Sequence, residues 1–453
     1  MTAKVVVVGG GVGGLTAATR LAQAGTEVTL LEATGSVGGL ARSLDIDDRR
    51  VDGGPYLLLD RAGLDWAFAQ LGLALGDALA LTRVERVYRV EAAGAPAVQI
   101  DANLEATAAG LDHDFPGAGR RYVRFIEHTR RVYATLSPLL VREHSRTALL
   151  ATGAIWHAPM LLGSLRSVLR RSGLPEPVIQ ALGIWTAIAG QELDEAPSPL
   201  AFVPALIHSA GCFVPRGGVG AVVDVLAGAA KAAGVRIQTG RRALRIEVQN
   251  RRATGVVTDG ETFPADVVVS GAAGASTLLE LTDPPPRLAR RIRALPMQSP
   301  GLALFGVSDR STDGPYLVFQ RTPAHRQLPC KLVIHPARVH AMVGPAPIRV
   351  LAPLRQGAAG SEPDMLALAD ELRRDPWIAS TVPGFIPKHT LTPAGYGQAN
   401  TLYHDTMNPV MTARFMRQGR LPRRAPGIAR LYLVGSATHP GQWVSFAAIS
   451  GVL

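Results

Sequence analysis

Apolar positions near the start of the chain fall into short, uninterrupted runs. Val5 to Val8 is a run of four valines, the pattern of a parallel strand buried on both faces. A second such run, Val28 to Leu31, follows a stretch that starts a helix near Gly13, so Lys4 to Ala33 reads as strand, turn, helix, strand. Leu64 to Leu71 is helical in pattern, and short strands are expected around Ala80 to Val90. Residues 147–165 hold no acid, lysine or arginine over 19 positions, long enough to raise a membrane span. Gly153, His157, Pro159 and Gly163 interrupt them, which favours a buried or membrane-dipping helix pair. Val178 to Ala189 is a second apolar, helix-like run; the two together fit either an ordinary core or the wall of a lipid-sized tunnel. From Val214 a turn, an amphipathic helix and a strand are expected. Further strands follow at Arg242 to Ile246, Ala253 to Val257 and Asp266 to Ser270, joined by an Asp259-Gly260 turn. Residues 276–424 mix strand and helix signals. Leu431 to Val434 is again a buried-type strand, with a turn at Gly435-Ser436 and a helix from Trp443.

With 453 residues the chain is long for one core and suggests two domains. Its 47% apolar and 18% charged content is that of a packed globular protein. The net charge of +11 does not gather on a stripe. Arginines are scattered in pairs such as Arg49-Arg50, Arg120-Arg121 and Arg241-Arg242 without interleaved aromatics, so no nucleic-acid partner is expected. Peripheral contact with an anionic membrane remains compatible with that charge. The two cysteines, Cys212 and Cys330, have no metal-ligand or CxxC spacing and stand away from the final glycine-rich segment, which argues against a disulfide framework, a zinc site or a cysteinyl linkage. The histidines lack ligand spacing, and no metal is expected. The chain runs straight into its first strand without a signal-peptide pattern, so the expected location is the cytoplasm, including the inner membrane face.

Gly9, Gly11 and Gly14 stand at GxGxxG spacing directly between that first strand and helix. Gly9 permits a tight turn, Gly11 lets backbone approach a pyrophosphate, and Gly14 allows the helix to pack closely on the strand. The helix N-terminus adds free amides and a positive dipole end. Glu32, 18 residues after Gly14 at the tip of the second strand, is placed to accept hydrogen bonds from a ribose diol, which favours FAD or NAD. Gly38-Gly39 followed by Arg42 can bring amides and a guanidinium to the diphosphate, and Asp52-Gly53-Gly54-Pro55 makes another close backbone approach.

These motifs, in this order, resemble the N-terminus of the FAD-dependent phytoene desaturase and amine oxidase superfamily. The run from Val214 through Asp266 resembles the superfamily's second cofactor segment, with Ala243 where valine is usual beside the adenine and Gly271-Ala272-Ala273 closing it. Leu431 to Gly441, LYLVGSATHPG, is similar to the phytoene desaturase branch, as is Gln191 to Gly218. The resemblance covers about half the chain in three blocks. It departs where Gln442-Trp443-Val444-Ser445 replaces a G-x-P continuation, and where the last helix, at Leu453, is shorter than the family's.

The resemblance implies an α/β fold: a discontinuous Rossmann-like FAD-binding domain (residues 1–75, 212–280 and 425–453) with an inserted α+β substrate-binding domain (76–211 and 281–424). It implies FAD held by Gly9, Gly11, Val12, Gly13, Gly14, Glu32, Ala33, Gly38, Gly39, Leu40, Arg42, Gly54, Pro55, Ala243, Gly271, Gly435, Ser436, Thr438, Gly441, Trp443 and Val444. The implied reaction is hydride transfer between a C–C bond of a carotenoid- or isoprenoid-like substrate and flavin N5, in a tunnel that needs no acid/base pair. His439 reads as a catalytic proton carrier or as a residue fixing the turn before Pro440. Two alternatives stay open: an amine-oxidase-type flavoenzyme on a natural-product intermediate, and a prenyl-binding escort protein of the same fold without redox chemistry. Oligomeric state is not legible.

Overall fold

Consecutive valines can be buried together only where both faces of a strand are covered, and that is how the first strand is used. The computed structural model describes residues 2–46, 48–142, 150, 152–310, 313–325, 328–340, 342, 344–355, 357, 358, 360–418 and 420–453. β1 (Lys4–Val8) is central in a five-stranded sheet ordered Leu431–Leu433, Val267–Ser270, β1, β2 (Glu27–Leu31) and Arg236–Gln238. Every pairing is parallel, with Val5 opposite both Val28 and Val267. Val5 and Val7 pack with α1 (Val12–Gln23), while Val6 and Val8 join Val256, Ala275 and Leu278 on the other face.

A second sheet has seven strands in the order Ile386–Leu391, Leu302–Ser308, Ala346–Ala352, Leu328–Ile334, Leu317–His325, Arg86–Ala92 and Ala95–Asp101. Only the pairing of Leu317–His325 with Arg86–Ala92 is parallel. Alternation again sorts its side chains. Ala303, Phe305 and Leu351 face a core built with Val178, Leu182 and Val203, and Leu302, Leu304 and Val350 face the helix Glu362–Arg373. A separate two-stranded ribbon pairs Leu81–Arg83 with Phe213–Pro215, and Leu58 bridges to Phe213.

The expected elements in the cofactor blocks are present, with adjusted ends. The strand from Ala243 runs on to Gln249, and its hairpin turns at Asn250 and Arg251, both at positive φ (49° and 59°). A short strand, Thr262–Pro264, follows the Asp259-Gly260 turn and was not expected. The apolar stretches differ more. Val178 to Ala189 is not one helix: it breaks at Gly183 into Glu176–Leu182 and Ile184–Ile188, and Leu193 packs where a Gly183 side chain would stand, so only glycine fits there. Residues 147–149 and 151 of the 147–165 run lie outside the described residues. The rest is not a buried helix pair but two four-residue turns, Ala154–His157 and Ala158–Leu161, bounded by Gly153 at φ 71°. Trp156 there is 83% exposed. Among the described residues no helix is long and apolar enough to cross a membrane.

Candidate active site

A cleft of about 490 Å³ opens between the two sheets and is shared by the beginning, middle and end of the chain. Gly9, Gly11, Val12, Gly13, Glu32, Ala33, Gly38, Gly39, Leu40, Arg42, Gly54, Pro55, Ala243, Gly271, Gly435, Ser436, Trp443 and Val444 line it together. Four residues expected at the site are not on its wall: Gly14, Thr438, Gly441 and His439.

The first turn is built by close approach. A Cβ on Gly14 would overlap the Gly9 carbonyl oxygen, so α1 can start this near β1 only with glycine there. A Cβ on Gly13 would lie 2.7 Å from the Cα of Gly435, which brings the first and last chain segments into contact. Gly11 is the N-cap of α1 and has no side chain to cap the helix, leaving the first-turn amides beside the cleft. Glu32 is 7% exposed. Its Oε2 accepts the Gly10 amide at 2.8 Å, and its Oε1 accepts the Thr34 amide and hydroxyl, each at 2.9 Å. Those bonds fix the carboxylate and leave one lone-pair site, on Oε2, for a ribose hydroxyl. Arg42 is steadied by Nη1 donation to Thr34 Oγ1 (3.1 Å) and Nη2 donation to the Ala399 carbonyl (3.1 Å).

The final segment is supported from behind. The Gly435 amide donates to Ser450 Oγ at 2.9 Å, and Thr438, fully buried, bonds the Gly435 carbonyl and Ser450. Thr438 therefore holds the turn's shape rather than its wall. His439 precedes a cis bond to Pro440, and its Nε2 lies 3.1 Å from the Leu140 carbonyl. Gly441 faces the Arg420 guanidinium, which burial pushes down to about 10. Trp443 lines the cleft and stacks on Phe446 at 4.8 Å.

Farther in, the wall turns apolar: Trp185, Ile188, Leu200, Val203, Leu351 and Leu391. The sequence reading drew no chemistry from Tyr56, Arg349, Tyr396 and Asn408, yet all four line the cleft. Arg349 was visible as a cation inside the apolar strand APIRVLA. Its Nη1 donates to the carbonyls of Asp52 (3.2 Å) and Gly54 (2.7 Å), and the guanidinium stands 5.3 Å over the Phe305 ring. The Asp52 side chain accepts the Gly220 amide at 3.3 Å; burial, the largest influence, lifts its carboxyl to about 6 against the opposing pull of backbone amides and Arg349.

These residues fit FAD: a glycine cradle that a Cβ would fill, helix amides at the turn, an oriented buried carboxylate and a continuing slot. The chain matches the flavin containing amine oxidoreductase family over residues 12–308. It is 34% identical over 288 residues to the hydroxyneurosporene desaturase of Cereibacter sphaeroides, covering 61% of this chain and 57% of that one. It is 28% identical over 498 residues to the hydroxyneurosporene desaturase of Rubrivivax gelatinosus, covering 100% of this chain and 92% of that one. In fold it is similar to an oxidoreductase from Methanosarcina mazei, at TM-score 0.70 and 19% identity over 99% of this chain and 98% of that one. The chain spans between 53% and 59% of the length of the first three curated relatives it matches. FAD is the cofactor, and the chain belongs to the flavin containing amine oxidoreductase family.

Proposed function

We propose that this protein is an FAD-dependent oxidoreductase, phytoene desaturase-like, that moves hydride between a C–C bond of an apolar, isoprenoid-like substrate and the flavin. The supporting observation is the continuity of one cleft, from the glycine turn and Glu32 to a wall of Trp185, Ile188, Leu200 and Val203. When bound, FAD supplies a hydride acceptor at N5. The chain's own residues bind, orient and exclude water. Glu32 takes the ribose, the α1 amides and Arg42 take the diphosphate, and the apolar wall aligns a substrate that offers few polar handles. In this reading residues 1–75, 212–280 and 425–453 bind the cofactor, and 76–211 and 281–424 bind the substrate. Gly14, Thr438 and Gly441 shape the cofactor turns without touching the ligand. His439, bonded to Leu140, fixes the turn at Pro440.

Peripheral membrane contact belongs to the same proposal. Ile155, Trp156 and Leu162 are exposed (50%, 83% and 55%) and are followed by Arg170 and Arg171. Close by in the chain, Ser164 bridges to Pro197, and Met160 packs on the core that also holds the wall residue Leu200.

The test is anaerobic. Purified protein carries a flavin spectrum, and a polyene or isoprenoid bleaches it, with the rate in His439→Gln within about twofold of wild type. Failure to bleach across a broad apolar panel, or oxidation of amines with hydrogen peroxide release, overturns the reading.

A further inference from the structure

Beside the apolar wall formed by Trp185, Ile188, Leu200 and Leu351, the cleft is lined by a cation. Arg349 sits on the strand Ala346–Ala352, on the same sheet face as Leu351 and opposite Phe305, and its side chain lines the cleft. Two carbonyls and a ring hold it in place. None of the three neutralises it, and no carboxylate among the described residues forms an ion pair with it. The nearby Asp52 carboxyl is engaged with the Gly220 amide. Tyr56 and Tyr396 also line the cleft, and Tyr396, Tyr56 and Asp52 all favour the charged guanidinium. Burial works against the guanidinium's charge, and its buried Nε has no hydrogen-bond partner among the described residues, so part of its donor fork is unused.

We propose that Arg349, flanked by Tyr56 and Tyr396, is a specificity-determining residue that docks a carboxylate at the end of a long apolar substrate. The guanidinium fork matches a carboxylate in plane and charge, and the phenols supply further donors. Trp185, Ile188 and Leu200 then hold the hydrocarbon remainder. The inference rests on the oxidoreductase reading for the purpose of the site, but its own prediction concerns binding and stands without turnover.

The experiment uses the FAD-loaded protein at pH 8 and two matched probes, phytane and phytanate, dispersed in the same detergent. Binding is read from perturbation of the flavin visible spectrum. Wild type prefers phytanate by about tenfold or more, the strength of one charged hydrogen-bonded contact. Arg349→Met retains FAD and its thermal midpoint and loses the preference, and Arg349→Lys, with charge but no fork, recovers part of it. Equal binding of both probes by wild type overturns the proposal, as does an unchanged preference in Arg349→Met. Loss of FAD from both variants would assign Arg349 to holding the Gly54 turn and also overturn it. Failure of the oxidoreductase reading shows separately, as absence of flavin bleaching by any polyene.

Discussion

Asp52 carries the clearest pH signature at the level of single side chains. Burial lifts its carboxyl from 3.8 to about 6, so the folded protein holds that proton more tightly than the unfolded chain. Its contribution to stability is fully present below pH about 4 and is lost as pH rises through about 6. The amount is about 3 kcal/mol, an order-of-magnitude figure for a shift of this size. Asp52→Asn, which keeps an acceptor for the Gly220 amide, is therefore expected to flatten the change in thermal midpoint between pH 4 and pH 7, read by melting at each pH. An unaltered pH profile would contradict it. That Glu32, the glycine turn and Arg42 share one cleft was legible in the sequence, because local spacing brings them together. Arg349 was not, because its place on the wall depends on a sheet whose register no local pattern encodes, and Tyr396 and Asn408, on a helix and a loop, reach the wall only through the tertiary fold.

Elements divide in the same way. The parallel strands were readable from their valine and leucine runs, since burial on both faces leaves a continuous apolar signature. Val178 to Ala189 misled, because a continuous helix and two short ones separated by Gly183 carry the same composition. The helix Val444–Val452 illustrates how tightly the elements close on one another. A Cβ on Gly451 would lie 2.8 Å from Thr16 Cβ and overlap the Gly13 carbonyl, so this helix crosses α1 at backbone contact. Gly451→Val should wedge the two apart, lower stability by about 1–3 kcal/mol and weaken FAD retention on gel filtration. A variant that keeps its flavin and its denaturation midpoint would refute the crossing.

For the whole molecule, two readings of composition had different fates. The net charge of +11 gave no stripe, yet Trp156 is exposed, and Arg170 and Arg171 end the helix that follows it in the chain. If this face meets the membrane, the protein floats with anionic liposomes at low salt and less so at high salt. Trp156→Ser should shift most of it to the bottom fraction. Wild type that stays at the bottom with anionic lipid at low salt rejects the proposal. The discontinuous architecture was legible because three cofactor-type blocks recur in order, whereas the order of the seven-stranded sheet, with strands from 86–101 joined to strands from 302–391, was not. Sequential strands seldom announce partners more than 200 positions away.

The contact between Gly13 and Gly435 also bears on biosynthesis. At about 5–20 residues per second, a ribosome needs roughly 20 to 80 seconds to travel from one to the other. Throughout that interval the emerging polypeptide exposes half a nucleotide pocket with its opposite jaw still untranslated. Vitamin-derived ligand can be captured firmly only once Leu431–Val452 has left the exit tunnel, so nascent chains stalled upstream should carry none.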